Sequence, residues 1–172
     1  MSVLESERLI LRPVRHGDAT AITVWLGDYD VARMLARVPF PYSEGDAENF
    51  IAEADAHRFA IQRKQDGLFL GMIALQPDQD WEFGYWLGRP FWGLGFATEA
   101  ARRLVTYAFV ELNQPTVHAG WFTDNPASGN VLSKLGARHN GSRMRDCRAR
   151  GVKVLCHDML LTQANFLRKQ AA

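Results

Sequence analysis

The sequence predicts an α/β domain of three layers, in which a mixed central β-sheet is flanked by helices. The 172 residues fit one domain, and their 47% hydrophobic and 23% charged content is typical of a packed globular protein. The segments follow the order strand, two helices, several strands, helix, strand, helix, two strands. No internal repeat or long linker separates them, so we expect residues 1–172 to form a single domain.

The first half of the chain carries local signals for each element. Arg8–Val14 reads as a strand, and Asp18 precedes a helical pattern that it can cap. Ser43 with Asp46 resembles a capping box at the start of a second helix. Further on, Asp66-Gly67 lies between two strand-like runs, 59–64 and 68–75, and therefore predicts a β-hairpin.

The second half alternates strands and helices. Trp81–Leu87 is rich in aromatic residues that suit a strand, and small or apolar residues then recur at helical spacing over 97–109. Val117–Phe122 is the next strand. Asn125-Pro126 opens a short helix that ends at Gly136, and the runs 138–145 and 152–161 are strand-like.

Bulk properties exclude several classes of protein. A net charge of +1 gives no long-range reason to expect nucleic acid or membrane partners, and the N-terminus has no apolar run typical of a secretory signal. The two cysteines and five histidines show no metal-ligand spacing, so we expect no metal site. A cytoplasmic location is the expectation that follows.

A glycine-rich turn, Trp92–Ala97, joins the Trp81–Leu87 strand to the next helix. Gly93 and Gly95 permit a sharp turn and close approach of a ligand, while exposed amides and the positive end of the helix favour phosphate oxygens. No Gly-Lys-Ser/Thr follows, and position 98 is threonine, so neither a Walker P-loop nor a Gly-x-Gly-x-x-Gly motif is present. The turn therefore predicts a site for a nucleotide-like ligand of another kind.

Gly84–Gly88 and Trp92–Ala100 resemble the central motif of the GNAT N-acetyltransferase superfamily, and more narrowly of its RimJ/RimL-like branch. Leu4–Pro13, Asp124–Ser128 and Val131–Gly136 are similar to other segments of that branch. The resemblance implies a GNAT-like fold and acetyl-CoA as the acyl-donor co-substrate. It assigns a backbone amide of Trp86 or Leu87 to the thioester carbonyl. The residues expected to bind the cofactor are Trp86, Leu87, Gly88, Gly93, Leu94, Gly95, Phe96, Ala97, Thr98 and Asn125.

Two side chains are candidates for acid–base catalysis. By resemblance, Ser128 lies near the thioester sulfur and can protonate the departing thiolate, whereas the position of the usual superfamily tyrosine holds Leu132. Glu82 is the candidate base for the amine, with a solvated or Arg-paired carboxylate as the equal alternative. No nucleophile motif is present, so we expect direct attack in a ternary complex.

The predicted function is N-acetyl transfer from acetyl-CoA to a primary amine, either a protein N-terminus or a small molecule. A non-catalytic acyl-CoA-binding sensor is the alternative, favoured only by the absence of the phenolic acid at Leu132. The fold and the cofactor motif do not identify the acceptor, and the chain can be a monomer or a homodimer.

Overall fold

A computed structural model of the chain describes residues 2–77 and 81–171. Its centre is an eight-stranded sheet in the order β1-β2-β3-β4-β5-β6-β8-β7. The strands are β1 Leu4–Glu5, β2 Leu9–Pro13, β3 Arg58–Arg63, β4 Phe69–Pro77, β5 Trp81–Leu87, β6 Thr116–Phe122, β7 Arg138–Cys147 and β8 Val152–Thr162.

Six α-helices flank the sheet. They are α1 Ala19–Leu26, α2 Tyr29–Ala32, α3 Glu44–Ala52, α4 Phe96–Thr106, α5 Pro126–Leu135 and α6 Gln163–Gln170. A π-helical turn, Tyr107–Glu111, continues α4. Within the described residues, no helix combines the length and apolar character needed to cross a membrane.

The core consists of two layers of apolar side chains, one on each face of the sheet. On one face, residues of α1, α2 and α3 such as Ile22, Val31 and Ala47 pack against the sheet. On the other face, α4 and α5 pack through residues such as Leu104 and Leu132. This arrangement is the predicted three-layer α/β architecture with a mixed sheet.

The sheet is split between β5 and β6. All other neighbours pair antiparallel, but β5 and β6 are parallel, and over the described residues their register has one pair, Glu82 with His118. Both strands continue in the same direction to Leu87 and Phe122, and no further pair between them is found among residues 81–171. Their carboxyl ends therefore open a cleft at one edge of the sheet, which is where ligands bind in open α/β sheets.

Most local predictions are confirmed. β5 and the β3–β4 hairpin lie where the sequence predicts them, Ser43 and Asp46 form the capping box of α3, and Gly136 ends α5 with φ +92°. The sequence did not predict β1, α2 or α6.

The predicted cap of α1 is wrong. Asp18 makes no side-chain cap; instead its carboxylate accepts two hydrogen bonds from Arg12, at 2.8 and 2.7 Å, and one from the amide of Arg15. A bidentate guanidinium binds a buried carboxylate more strongly than a helix amide does, so the ion pair takes the side chain away from the helix.

Candidate active site

The glycine-rich turn connects the end of β5 to the start of α4. Gly93 and Gly95 have φ values of +72° and +82°, in the left-handed region where a residue with a Cβ is strained. Gly95 is the residue immediately before α4, and no atom lies within 4 Å of where a Cβ on Gly93 would stand. The backbone of the turn is thus open to a ligand.

The first turn of α4 presents amides toward this opening. The first helical hydrogen bond runs from Glu99 N to Gly95 O at 3.1 Å, so the amides of Phe96, Ala97 and Thr98 have no carbonyl one turn before them. Together with the positive end of the helix dipole, these amides form a site for anionic oxygens.

A basic groove adjoins the same helix start, with a cavity of about 450 Å³. The groove is lined by Glu7, Arg8, Gly95, Thr98, Glu99, Arg102 and Lys134. Three cationic side chains, Arg8, Arg102 and Lys134, come from three separate parts of the chain. Sequence analysis missed them, although Arg102 stands four residues after Thr98, on the same helix face.

Arg8 and Glu99 anchor the turn to the first strands. Glu99 accepts hydrogen bonds of 2.7 Å from the Arg8 backbone amide, the Arg8 guanidinium and the Ser6 hydroxyl, and Arg8 also donates to Leu94 O at 3.1 Å. Partial burial would raise the pKa of Glu99, but these hydrogen bonds and the Arg8 charge outweigh it and lower the pKa below its usual value. The ionised carboxylate therefore fixes the turn.

At the end of β5, one backbone amide faces the cleft. The amide of Gly88 donates to Leu70 O on β4 at 2.9 Å. Backbone amides of successive strand residues point to alternate sides, so the amide of Trp86 also points toward β4 and the amide of Leu87 points away from it. The Trp92 indole donates to Leu87 O at 2.8 Å on that far side. Of the two amides predicted for the thioester carbonyl, the geometry directs that of Leu87 toward the cleft.

Ser128 lies on the other side of the cleft, in the first turn of α5. Its amide is bound by the Asn125 side chain at 3.4 Å, which is the predicted cap. The Tyr85 hydroxyl, from β5, donates to Ser128 Oγ at 3.2 Å. Sequence analysis missed this contact, since it joins residues 43 positions apart.

Glu82 lies on the face of β5 opposite to Tyr85. Its carboxylate is paired with an arginine, as one of the two interpretations of the sequence predicted. Arg145 Nη1 donates to Glu82 Oε1 at 2.8 Å, and Arg145 Nη2 contacts Asp158 at 3.3 Å. The guanidinium reaches β5 from β7 by crossing Gly120, where a Cβ would lie 3.4 Å from Arg145 Nη2.

A chain of ion pairs, here called the ion-pair ladder, spans the mouth of the cleft. It consists of Asp28, Asp30, Arg33, Arg89, Asp124 and Arg150. Arg89 follows β5, Asp124 follows β6, and Arg33 directly follows α2. The ladder therefore ties α2 to the ends of both diverging strands.

For residues 2–77 and 81–171, no group of three or more His, Cys, Asp or Glu side chains is placed to hold a metal ion. The chemistry that the cleft can supply comes from backbone amides, hydroxyls and one carboxylate–guanidinium pair.

Comparison with known proteins agrees with this geometry. Residues 8–138 match the family model described as an acetyltransferase (GNAT) domain. The chain is 31% identical over 152 residues to the uncharacterized N-acetyltransferase p20 of Bacillus licheniformis, an alignment that covers 82% of this chain and 85% of the relative.

Solved structures share the fold. A GNAT-family acetyltransferase from Bacillus anthracis superimposes with a TM-score of 0.85 at 22% identity, covering 95% of this chain and 99% of that chain. RimJ of Mycobacterium smegmatis, in complex with CoA-disulfide, superimposes with a TM-score of 0.82 at 18% identity, covering 99% of this chain and 94% of that one.

Proposed function

The chain belongs to the GNAT acetyltransferase family, and from that premise we propose that it transfers the acetyl group of acetyl-CoA directly to a primary amine. The observation that carries the proposal is the cleft between β5 and β6, with the glycine-rich turn at its edge and Ser128 on its far side. The donor and the acceptor amine would meet in this cleft.

The described residues fit the donor. CoA carries a pyrophosphate and a further phosphate on its ribose, and the amides of Gly95–Thr98 with the cations of the basic groove supply a matching set of donors and charges. The open space at Gly93 and the left-handed backbone at Gly95 let the turn approach the phosphates closely. Acetyl-CoA supplies the thioester whose acetyl group is transferred.

We assign each chemical requirement to one group of this chain. The amide of Leu87 stabilises the developing oxyanion, Glu82 receives the proton of the acceptor ammonium, and Ser128 protonates the departing thiolate. The C–N bond forms as the C–S bond breaks. Arg145 donates to one oxygen of Glu82, and a carboxylate has further acceptor positions for the ammonium.

The acceptor is proposed to enter from the face of β5 that carries Glu82, beneath α2 and the ion-pair ladder. A protein N-terminus and a small-molecule amine both present the required nitrogen. The charges at this mouth favour neither kind of acceptor, because each carboxylate of the ion-pair ladder is paired with an arginine.

A screen for CoA release tests the function. The protein is incubated with acetyl-CoA and a panel of small amines and N-terminal peptides, and the free thiol is measured. We expect release that depends on both acetyl-CoA and one acceptor class. Tight acetyl-CoA binding by calorimetry without release for any acceptor would instead support the sensor function.

A further inference from the structure

The phenol of Tyr85 occupies a place in the cleft that no sequence motif assigns. Its hydroxyl lies 3.2 Å from Ser128 Oγ and is directed from β5 across the split to α5. The position where the superfamily usually carries its phenol holds Leu132, a side chain that is 1% exposed in the core. A phenolic group is therefore present beside Ser128, but it comes from strand β5 and not from helix α5.

We propose that Tyr85 is a positioning residue that supports Ser128 as the acid for the departing thiolate; the inference rests on the proposed acetyl transfer. Tyr85 donates its proton to Ser128 Oγ, which leaves the one hydroxyl proton of Ser128 free to point at the sulfur. Hydrogen bonds in such a chain polarise one another, so Ser128 donates more strongly than an isolated hydroxyl.

The position of Ser128 is fixed by its surroundings. Its amide is held by Asn125, and the next residue, Gly129, packs directly on the Trp121 ring, since a Cβ there would lie 2.8 Å from that ring. The close packing brings the first turn of α5 down onto β6. Ser128 Oγ is consequently held within reach of a side chain from β5, across the gap that the parallel strands leave open.

The protonation of Tyr85 suits the role of a donor. Burial raises the pKa of Tyr85, and the hydrogen bond to Ser128 opposes that shift only in part. The phenol thus stays neutral through the pH range in which an amine acceptor is available. It keeps its proton until the thiolate begins to form.

The proton transfers balance. As the amine nitrogen bonds to the carbonyl carbon and the C–S bond breaks, the sulfur takes the Ser128 proton and Ser128 Oγ takes the phenolic proton of Tyr85. The acceptor nitrogen loses two protons, one to Glu82 before attack and one to solvent once the C–N bond has formed. Glu82 passes its proton to solvent and a proton from solvent restores the phenol, so one proton is released in net. Even with the pKa of Tyr85 raised by burial, a phenol is a stronger acid than a serine hydroxyl, so the chain avoids a serine alkoxide.

A double-mutant cycle tests the inference in the full-length protein, using the acceptor found in the CoA-release screen. Tyr85→Phe and Ser128→Ala should each lower kcat about tenfold or more, with less than about a twofold change in the KM for acetyl-CoA. In the Ser128→Ala background, Tyr85→Phe should have no further effect, because it acts only through that hydroxyl. Ser128→Thr, which keeps a hydroxyl, should retain most of the activity.

Tyr107→Phe is the matched control, since Tyr107 is also a buried tyrosine of the same core layer but lies in the π-helical turn. It should leave kcat unchanged. Additive losses in the double variant, or a Tyr85→Phe protein as active as the wild type, would overturn the role of Tyr85 while leaving acetyl transfer intact. A wild-type protein that binds acetyl-CoA but acetylates no amine would overturn both.

Discussion

At the scale of single residues, Arg145 sets the environment of Glu82. Its guanidinium passes over Gly120, where a Cβ would lie 3.4 Å from Nη2, and donates to Glu82 at 2.8 Å. Asp158 holds the other Nη of the same guanidinium at 3.3 Å. Glu82 therefore belongs to a four-residue ion network with Arg145, Asp158 and Arg143, and it would accept a proton from an amine next to the positive charge of Arg145.

Glu82→Gln is expected to lower kcat at least about tenfold at pH values where the acceptor is mostly ammonium, and less at higher pH. The reason is that a free amine needs no base. The measurement is a pH–rate profile with acetyl-CoA affinity followed in parallel, which should stay constant.

Asp158→Asn is the control for this prediction, since it removes a carboxylate from the same guanidinium without touching Glu82. The Asp158→Asn variant should have a pH–rate profile of the same shape as the wild type. If Glu82→Gln and wild type give the same profile, Glu82 is not the base.

At the scale of elements, the turn and the helix that follows form one unit. The left-handed backbone of Gly95 precedes α4, and Glu99, one turn later, ties that helix to Arg8 and Ser6. The amides of the turn keep their orientation because both ends of the unit are fixed. The proposed binding of phosphate would then need little reorganisation of the turn.

Gly95→Val is expected to weaken acetyl-CoA binding by more than tenfold, measured by calorimetry. A Cβ at φ +82° costs about 1–2 kcal/mol in backbone strain, and here it also lies 3.3 Å from Arg8 Nη2. Gly141→Val, at φ +117° in β7 with nothing near its Cβ, is the matched control for strain alone. Unchanged affinity in the Gly95 variant would refute the role of the turn.

Signals that depend on neighbours along the chain predicted much of the fold. Ser43 with Asp46, Asp66-Gly67 and the Trp81–Leu87 strand are all local patterns, and each lies where predicted. Contacts made across the sheet were not predictable, among them Tyr85 with Ser128. Their distances depend on how helices pack, and a sequence pattern contains no such distance.

At the scale of the whole molecule, the ion-pair ladder joins parts that are far apart in the chain. The Asp124 carboxylate forms ion pairs with Arg150 at 2.7 Å and with Arg33 at 3.6 Å. One carboxylate at the end of β6 thus joins the β7–β8 hairpin to the segment after α2. Exposed ion pairs contribute little each, but a network can hold a short helix in place. The ladder thus fixes the mouth through which the acceptor would enter.

Asp124→Asn is expected to raise the KM for the amine and to lower stability by about 0.5–1 kcal/mol at neutral pH, as for other half-exposed pairs. The hydrogen bond from Arg150 lowers the pKa of Asp124, so its contribution is present above the usual aspartate pKa and is lost as pH falls through the lower folded value. Amine kinetics and thermal unfolding at neutral and acid pH measure both effects.

Asp66→Asn is the control, because Asp66 pairs with Arg63 at the same side-chain exposure of 44% but in the β3–β4 turn. It should change stability without changing the amine KM. An equal change of KM in both variants would show that the ladder has no specific role at the cleft.

The parallel pairing between β5 and β6 also divides the strands of the sheet into two groups. The strands β1 to β5 are neighbours in the same order as in the chain, and β6 to β8 form a second antiparallel group. Each group is joined by its own antiparallel pairing, and among the described residues only Glu82 with His118 pairs one group with the other. The backbone pairing of the strands thus falls into two groups, one hydrophobic core with residues from both groups joins them, and a donor lying in the split would contact both.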